Sequence, residues 1–500
     1  MKRILLLTLA LAGTLAADVR LPALLSDHML LQRDAPLRLW GWASPGETVS
    51  VTLLGQTSTA AATPEGKWEV YFTPIHAQAT PTSITVKGNN QITIQDVLVG
   101  DVWVGSGQSN MAWTVKNSNN PETEIAAAQY PQIRIFQVAL KTSETPLDDV
   151  TGKWALVTPE SIPNFSAVGY FFSRELHKHL KTPIGFIQSA WGGTPVQAWT
   201  RLSLMESDLS MNWVLANWRE YVSRYPAAKV RHDKAVAEWE AKGRQGSRPA
   251  GPLGPGHAHT PGGLYNAMIV PLLPYAIKGA IWYQGESNAG GKTASQYRHQ
   301  FVEMIRDWRA QWGVGNFPFL YVQLANWAPG NASGWPLVQE AQDKTLDLRG
   351  TGMAVITDIG EEKDIHPRNK QDVGARLALA ARHVAHGEEI VYSGPRYRQV
   401  TREGSSLRVW LDHSGRGLVA KGGGEPRGFF VAGADRAFFR ATARIDGKTV
   451  VVSSPEVSNP VAVRYNWAPF PNGNLFNADG LPASLFRSDD WDDVTMPPVN

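Results

Sequence analysis

Ser109 is the residue best suited to act as a nucleophile, because it follows directly after a predicted buried strand. The apolar run 97–104 predicts that strand, and Gly105-Ser-Gly-Gln-Ser-Asn110 follows it. A serine in the turn after a parallel strand lies at the carboxyl edge of the sheet, where open α/β sheets bind their ligands. The glycines permit a tight turn and a close approach of a substrate to the backbone. Because Gly-x-Ser is frequent by chance, a catalytic role for Ser109 depends on partners elsewhere in the chain.

Four further apolar runs are also followed directly by polar residues. The runs cover 184–187, 277–283, 319–322 and 353–356, and the polar segments cover 189–199, 284–288, 323–327 and 358–367. If the runs are parallel strands, all five polar segments lie at one edge of the sheet. Buried polar groups are costly unless they are satisfied, so five convergent segments favour a functional site.

The residue types in these segments fit the chemistry of acyl transfer. A serine hydroxyl is a weak nucleophile and needs a base within hydrogen-bond reach, for which His366 is the best candidate. His366 follows the last predicted strand, and Pro367 stiffens its loop. Asp364, two residues earlier, is the expected acid that holds the imidazole in the productive tautomer.

Negative charge that develops on a carbonyl oxygen requires preorganised hydrogen-bond donors. The expected donors are the N–H of Ser109, the N–H of Gly193 or Gly192, and the side-chain amide of Gln284. Glu286 is expected to bind substrate or to replace Asp364 as the acid. The wall of the pocket is predicted to contain Trp113, Trp191, Asn326 and Trp327.

Composition limits the class of protein. A hydrophobic fraction of 43% and a charged fraction of 19% are typical of a globular chain, and 500 residues predict two or three domains. The net charge of +3 and the absence of a Lys/Arg cluster argue against nucleic acid as a partner. The sequence contains no cysteine, which excludes disulfides and thiolate metal sites.

Residues 1–17 resemble a cleaved signal peptide. Lys2-Arg3 precede a short apolar stretch, and small residues follow at 14–17. Elsewhere the sequence has no stretch that is long and apolar enough to predict a membrane helix. We therefore expect a bacterial protein that is secreted or periplasmic, with no membrane span in the mature chain.

Hydrophobic periodicity divides the remaining chain into three regions. Residues 18–96 and 390–500 predict β domains of the sandwich type, whereas 97–389 predict parallel βα units. Within the α/β region, helices are expected over 166–180, 296–312 and 371–386. The segment 205–262 is an insertion in that region.

The insertion has a composition of its own. It predicts a helical hairpin over 213–242, followed by a loop rich in Gly, Pro and His over 244–263. His257 and His259 in that loop are expected to be solvated rather than metal ligands. Its place between two polar segments favours a role at the rim of the site.

Four ordered motifs resemble those of the sialate O-acetylesterases, a family of the SGNH/GDSL hydrolase superfamily. They are Gly107-Gln-Ser-Asn-Met111, Trp191-Gly-Gly-Thr-Pro195, Trp282-Tyr-Gln-Gly-Glu-Ser-Asn288 and Asp364-Ile-His-Pro367. The resemblance implies a three-layer α/β/α domain with a parallel sheet, flanked by two β domains. It also implies removal of acetyl groups from carbohydrate without a metal or organic cofactor, with Ser109 as nucleophile and His366 as base.

The sequence departs from the superfamily pattern at two points. The superfamily often has its acid three residues before the histidine, where this chain has Lys363. Asp364, Glu286 or a Ser-His dyad steadied by a backbone carbonyl are the alternatives. The usual asparagine donor of the third motif is replaced by Gln284.

Several hypotheses about function remain open at this stage. Within the same fold, the substrate is a sialic acid or another acetylated glycan such as xylan. Glu286 and Asp364 are also the residue types that a glycoside hydrolase uses in pairs. A non-catalytic carbohydrate-binding protein is the third hypothesis, although none of the four motifs is visibly damaged. The sequence leaves the oligomeric state undetermined.

Overall fold

The computed structural model describes residues 18–328 and 334–492, so the predicted signal segment 1–17 lies outside the described residues. The strands of the N-terminal and central regions are β1 (Leu30–Gln32), β2 (Leu37–Trp42), β3 (Thr48–Leu53), β4 (Gln56–Ala61), β5 (Lys67–Phe72), β6 (Gln78–Lys87), β7 (Gln91–Gly107), β8 (Tyr130–Gln137), β9 (Trp154–Val157), β10 (Ile184–Ala190), β11 (Gly279–Tyr283), β12 (Phe319–Val322) and β13 (Thr351–Ala354). The C-terminal strands are β14 (Arg396–Glu403), β15 (Ser406–Asp412), β16 (Leu418–Ala420), β17 (Phe429–Ala432), β18 (Phe438–Arg440), β19 (Thr442–Asp446), β20 (Thr449–Ser453), β21 (Ala462–Tyr465), β22 (Leu475–Asn477) and β23 (Phe486–Arg487). The α-helices are α1 (Ser109–Ala112), α2 (Pro121–Ala126), α3 (Ala167–Leu180), α4 (Leu202–Ser207), α5 (Asn212–Ala241), α6 (Gly291–Trp312), α7 (Trp335–Thr345) and α8 (Lys370–His386).

A mainly parallel sheet lies at the centre of the chain. Its strand order is β13-β12-β11-β7-β10-β8, with β9 antiparallel at the edge. Each of the five apolar runs overlaps one of these strands, so the five predicted strands are present. The register pairs both Ala190 and Tyr283 with Gly107, so that β10, β7 and β11 end side by side. This shared edge brings together the segments that carry the first three motifs.

Helices cover both faces of this sheet. Trp103 and Trp282 occupy opposite faces, because Trp282 is in register with Ser106 and side chains alternate along a strand. Phe172 of α3 contacts Trp103, whereas Phe301 of α6 contacts Trp282. Helix α8 packs on α3, and α7 packs on α6. The result is a layer of helices on each side of the sheet, which agrees with the expected α/β class.

Strand β7 belongs to two sheets at once. Its first half pairs with β6 and β1, and its second half with β10 and β11. The expected boundary between 96 and 97 therefore lies inside one continuous strand. The same hydrophobic cluster runs through residues of the N-terminal strands and the central sheet.

The C-terminal region consists of antiparallel strands, in agreement with its predicted β character. It contains two four-stranded sheets, β14-β15-β20-β19 and β18-β17-β21-β23, and a separate hydrophobic cluster. A hairpin at Asp446-Gly447 joins β19 to β20. In residues 18–328 and 334–492, no helix is long and apolar enough to cross a membrane.

The prediction of a helical hairpin over 213–242 is wrong. The segment forms one 30-residue helix, α5, with Pro226 inside it. No glycine interrupts the segment, and ion pairs four residues apart, such as Lys229–Asp233 at 2.6 Å, support a continuous helix. A proline alone kinks a helix but does not reverse the chain.

Candidate active site

The backbone at the end of β7 is shaped by the neighbouring strand. Gly107 has φ 129°, and a Cβ atom at this position would overlap the carbonyl oxygen of Tyr283. Gln108 N–H donates to that same oxygen over 2.9 Å. Only glycine fits here, and the turn that it allows places Ser109 at the first position of α1. The N–H groups at such a helix start have no partner inside the helix and are available to an anion.

The structure brings Ser109 and His366 into hydrogen-bond contact. Their Oγ and Nε2 atoms are 2.9 Å apart. On the other side of the ring, Nδ1 of His366 lies 3.4 Å from Oδ1 of Asp364. The same Oδ1 accepts the backbone N–H of His366 over 2.9 Å. A proton on Nδ1 facing Asp364 leaves Nε2 free to accept the Ser109 proton, which is the arrangement a general base needs.

The surroundings of His366 favour its neutral form. The imidazole stacks on the indole of Trp113, with ring centroids 4.8 Å apart and planes at 13°. Burial lowers the pKa of His366 below its usual value, Asp364 raises it, and the positive charge of Lys370 lowers it further. A neutral imidazole at neutral pH can take a proton from a serine.

The turn at 192–193 lies directly beside the serine. A Cβ atom on Gly192 would be 3.3 Å from Cβ of Ser109. Gly193 has φ 74°, and both glycines are exposed. Within the described residues, neither Ser109 N–H nor Gly193 N–H has a hydrogen-bond acceptor. These two groups therefore fit the expected role of oxyanion donors.

The geometry does not support Gln284 as a donor. Its side chain is fully buried, and its amide nitrogen donates to Thr194 O at 3.2 Å and to Asn288 Oδ1 at 2.7 Å. Its side-chain oxygen accepts the hydroxyl of Tyr297 at 2.9 Å. Both amide hydrogens are donated to protein acceptors, so the Gln284 side chain links the second motif to the third by hydrogen bonds.

Asn326 also has a place other than the expected one. The residue is 5% exposed, and its amide donates to the carbonyl oxygens of Thr357 and Pro471. Trp327 follows it and is half-buried. Its backbone N–H donates to Pro469 O over 3.0 Å. The bonds to Pro469 and Pro471 join the segment after β12 to the C-terminal region, and the bond to Thr357 joins it to the segment after β13. Trp191 is half-buried and packs against the main hydrophobic cluster.

A buried polar network lies beneath the serine. Nζ of Lys370 donates a hydrogen bond to Oδ1 of Asn110 over 2.6 Å. Its Nδ2 atom donates to Glu286 Oε1 over 2.7 Å and to Ile365 O over 3.0 Å. Asn110 thus ties the helix that carries Ser109 to the residue that precedes the histidine.

Burial perturbs both ionisable groups of this network. It lowers the pKa of Lys370 to about 7, against attraction from Glu286. It raises the pKa of Glu286, whose Oε2 atom is shielded from solvent and has no hydrogen-bond partner among residues 18–328 and 334–492. Within the same described residues, Glu286 has no hydrogen bond or ion pair with His366, so the geometry favours Asp364 over it as the orienting acid. Sequence reasoning missed Lys370, because a lysine at a helix start resembles a surface residue.

The loop of the insertion reaches the turn at 192–193 beside Ser109. His259 Nε2 donates to the carbonyl oxygen of Gly193 over 2.7 Å, and His257 Nδ1 accepts the N–H of His259 over 3.1 Å. Burial lowers the pKa of both histidines. Residues 18–328 and 334–492 contain no group of three or more His, Cys, Asp or Glu side chains that could hold a metal ion. The two histidines are therefore built into a hydrogen-bonded loop and are not simply solvated.

The chain is similar to known carbohydrate esterases. The model of the family described as carbohydrate esterase, sialic acid-specific acetylesterase, matches residues 99–231 and 257–383. The chain is 33% identical to the sialate O-acetylesterase of Mus musculus over 437 residues, which is 78% of each chain. It is 32% identical to that of Homo sapiens over 420 residues, covering 75% of this chain and 73% of the human one.

A solved structure is also similar. The crystal structure of a carbohydrate acetylesterase from Xanthomonas citri shares 41% identity and a TM-score of 0.82, covering 95% of this chain and all of the other. It supports the SGNH-like fold that the motifs imply. Ester hydrolysis is therefore favoured over the glycoside hydrolase and binding-protein hypotheses. The chain belongs to the sialic acid-specific acetylesterase family of carbohydrate esterases and is a carboxylic ester hydrolase.

Proposed function

We propose that this protein is a serine esterase that removes O-acetyl groups from carbohydrate, with Ser109 as nucleophile and His366 as base. The observation that carries the proposal is the 2.9 Å contact between Ser109 Oγ and His366 Nε2. It occurs beside an exposed glycine turn and at the start of a helix, where an oxyanion can be stabilised.

The first half of the reaction acylates the serine. His366 Nε2 takes the hydroxyl proton while Ser109 Oγ attacks the acetyl carbonyl carbon. The carbonyl oxygen becomes an anion that accepts hydrogen bonds from Ser109 N–H and Gly193 N–H. Asp364 stabilises the imidazolium through Nδ1, 3.4 Å away. When the C–O bond to the sugar breaks, the imidazolium gives its proton to the departing sugar oxygen.

The second half releases acetate. Neutral His366 removes a proton from a water molecule, and the hydroxide attacks the acetyl-serine carbonyl. The same two N–H groups hold the second oxyanion. Collapse of this intermediate returns the proton to Ser109 and frees acetic acid, so the reaction requires no redox partner.

Two further parts of the proposal concern the whole chain. We retain the division into 18–96, 97–389 and 390–500, which the separate C-terminal hydrophobic cluster supports at the second boundary. We also propose export directed by residues 1–17. Mass spectrometry of protein recovered outside the cytoplasm of a bacterial host would detect cleavage after position 17.

Acetate release from a substrate panel tests the activity. The panel contains an O-acetylated sialic acid, acetylated xylan and an aryl acetate, each with wild type and Ser109→Ala. We expect Ser109→Ala to lose at least about 10³-fold in kcat, because the nucleophile is gone. Wild-type preference within the panel identifies the sugar.

A matched variant controls for loss of a serine as such. Ser295 is an exposed serine on α6, and Ser295→Ala should keep the wild-type rate. The proposal fails if folded Ser109→Ala retains its rate, or if wild type releases acetate from the aryl ester but from no carbohydrate.

A further inference from the structure

A cleft of about 190 Å³ lies between helix α5 and the loops of the second and third motifs. Trp213, Trp218 and Tyr221 of α5 contribute three aromatic side chains to its lining. Trp218 is half-buried and Tyr221 is 47% exposed, so both present ring surface to solvent. Their ring centroids are 6.5 Å apart, with planes tilted by 59°.

Polar side chains line the opposite part of the cleft. Gln197 lies in the turn after the second motif, Ser287 lies in the third motif, Thr293 lies in the first turn of α6, and Asn217 comes from α5. Aromatic walls with a few fixed polar groups are typical of small-molecule sites. A pyranose ring matches this lining, because its C–H face packs on an aromatic ring and its hydroxyls bond to amides and hydroxyls.

Two residues of the cleft lining are hydrogen-bonded to segments of the proposed catalytic site. Ser287 N–H donates to Gln108 Oε1 over 3.2 Å, and Gln108 immediately precedes the nucleophile. His259, which also lines the cleft, holds the carbonyl oxygen of Gly193. Ser287 and His259 therefore connect the cleft to the residue before the nucleophile and to the turn at 192–193.

The cleft does not take part in the chemistry described above. In the part of the chain that the structure describes, none of the cleft's aromatic residues has a hydrogen bond, ion pair or ring contact with Ser109, His366 or Asp364. A group bound here would be held beside the reacting ester rather than at it. In a polymeric or branched carbohydrate, that group is a neighbouring sugar unit.

We propose that this cleft is a subsite for a second sugar, joined to the sugar that carries the acetyl group. The inference rests on the proposed function and deepens it, because it makes an acetylated oligosaccharide the preferred substrate over an acetylated monosaccharide. It also gives the 205–262 insertion a role, since α5 and the loop after it form one side of the subsite.

Paired substrates of different length test the subsite. One pair is O-acetylated xylose and O-acetylated xylotriose, and the other is an O-acetylated sialic acid and the corresponding sialyllactose. Each pair is assayed with wild type, Trp218→Ala and Tyr221→Ala, alongside an aryl acetate. For at least one pair, we expect wild-type kcat/KM to be higher on the longer substrate.

The variants should lower kcat/KM on that longer substrate about ten-fold, which corresponds to about 1.4 kcal/mol of lost transition-state binding. Their kcat/KM on the aryl acetate should stay within about two-fold of wild type, which also shows that they fold. Trp239→Ala is the matched control, because Trp239 is another half-buried tryptophan of α5 but is not in the cleft lining.

Two outcomes would overturn the inference. Either wild type shows no preference for length in both pairs, or the two variants keep wild-type kcat/KM on the longer substrates. In both cases, Ser109-dependent acetate release from the monosaccharides would leave the proposed function standing. Failure of the proposed function looks different, because wild type would then release acetate from none of the carbohydrates.

Discussion

Replacement of Asp364 by asparagine isolates the charge of the proposed acid from its structural role. Asp364 Oδ1 accepts the backbone N–H of His366, and the side-chain oxygen of an asparagine can accept the same bond. The loop that positions the imidazole should therefore keep its conformation. The variant removes only the negative charge that faces Nδ1.

The distance sets the size of the effect. Two unit charges 3.4 Å apart interact by about 1.2 kcal/mol in a medium of dielectric constant 80 and by about 5 kcal/mol at 20. The side chain of Asp364 is 39% exposed, so solvent screening favours the lower figure. About 1.2 kcal/mol corresponds to about an eight-fold effect on an equilibrium or a rate. Asp364 raises the pKa of His366, so its loss should lower that pKa.

The sign of the change in the pH profile follows from the role of the base. His366 acts only when it is neutral, so kcat/KM falls as the pH drops through its pKa. In Asp364→Asn, this acid limb should move to lower pH. The plateau should also fall by about eight-fold, because the imidazolium formed during acylation loses about 1.2 kcal/mol of stabilisation.

The assay is kcat/KM on an aryl acetate from about pH 4 to 8. Glu362→Gln, an exposed acid two residues before Asp364, controls for removal of a charge from the same loop and should leave the profile in place. An acid limb that stays fixed or moves upward in Asp364→Asn would refute the reasoning. Glu286 or a dyad would then be the better explanation.

Three other substitutions test the surroundings of the site. Lys370→Met removes a charge that lowers the pKa of the base, so the acid limb of kcat/KM should move to higher pH. It also leaves Asn110 Oδ1 unpaired, which should lower the free energy of urea unfolding by about 1–3 kcal/mol. Trp113→Ala exposes the imidazole to water; because burial is the main cause of its low pKa, the acid limb should again rise. Gly107→Ala places a methyl group against the carbonyl oxygen of Tyr283 and should lower the unfolding free energy by at least about 1–3 kcal/mol, measured by urea denaturation.

Five strands of the central sheet, β7 and β10 to β13, could be predicted because they are buried on both faces, whereas β8 and β9 were not predicted. Such strands form short continuous apolar runs, and the run 319–322 coincides with β12. The run 353–356 overlaps its strand only in part, because β13 begins two residues earlier and covers Thr351–Ala354. Val355 and Ile356 are buried but lie beyond the paired residues. Apolar sequence therefore reports burial more directly than it reports strand pairing.

The parts of the site that depend on tertiary neighbours could not be predicted. Ser109 and His366 follow from residue type and from their positions after strands. In contrast, the amide of Gln284 has the right chemistry for an oxyanion donor, and only the positions of Thr194 and Asn288 show that its hydrogens are used. Lys370 presents the reverse case, since no local pattern distinguishes a buried lysine from an exposed one.

The contact between Ser109 and His366 depends on Asn110 as much as on the two residues themselves. The serine lies on a helix after β7 and the histidine on a loop after β13, which are separated by β12 and β11 in the sheet. A single hydrogen bond between two side chains, worth about 1 kcal/mol, would not fix the distance between such remote segments. Asn110 adds a bond from the serine helix to Ile365 O in the histidine loop, and Lys370 holds the other end of the Asn110 side chain from the start of α8. Because these bonds are buried, breaking one leaves a polar group without water to replace its partner. The proposed catalytic geometry is therefore held by buried polar groups beneath Ser109, which leaves the exposed face of the serine free to receive an ester in the proposed reaction.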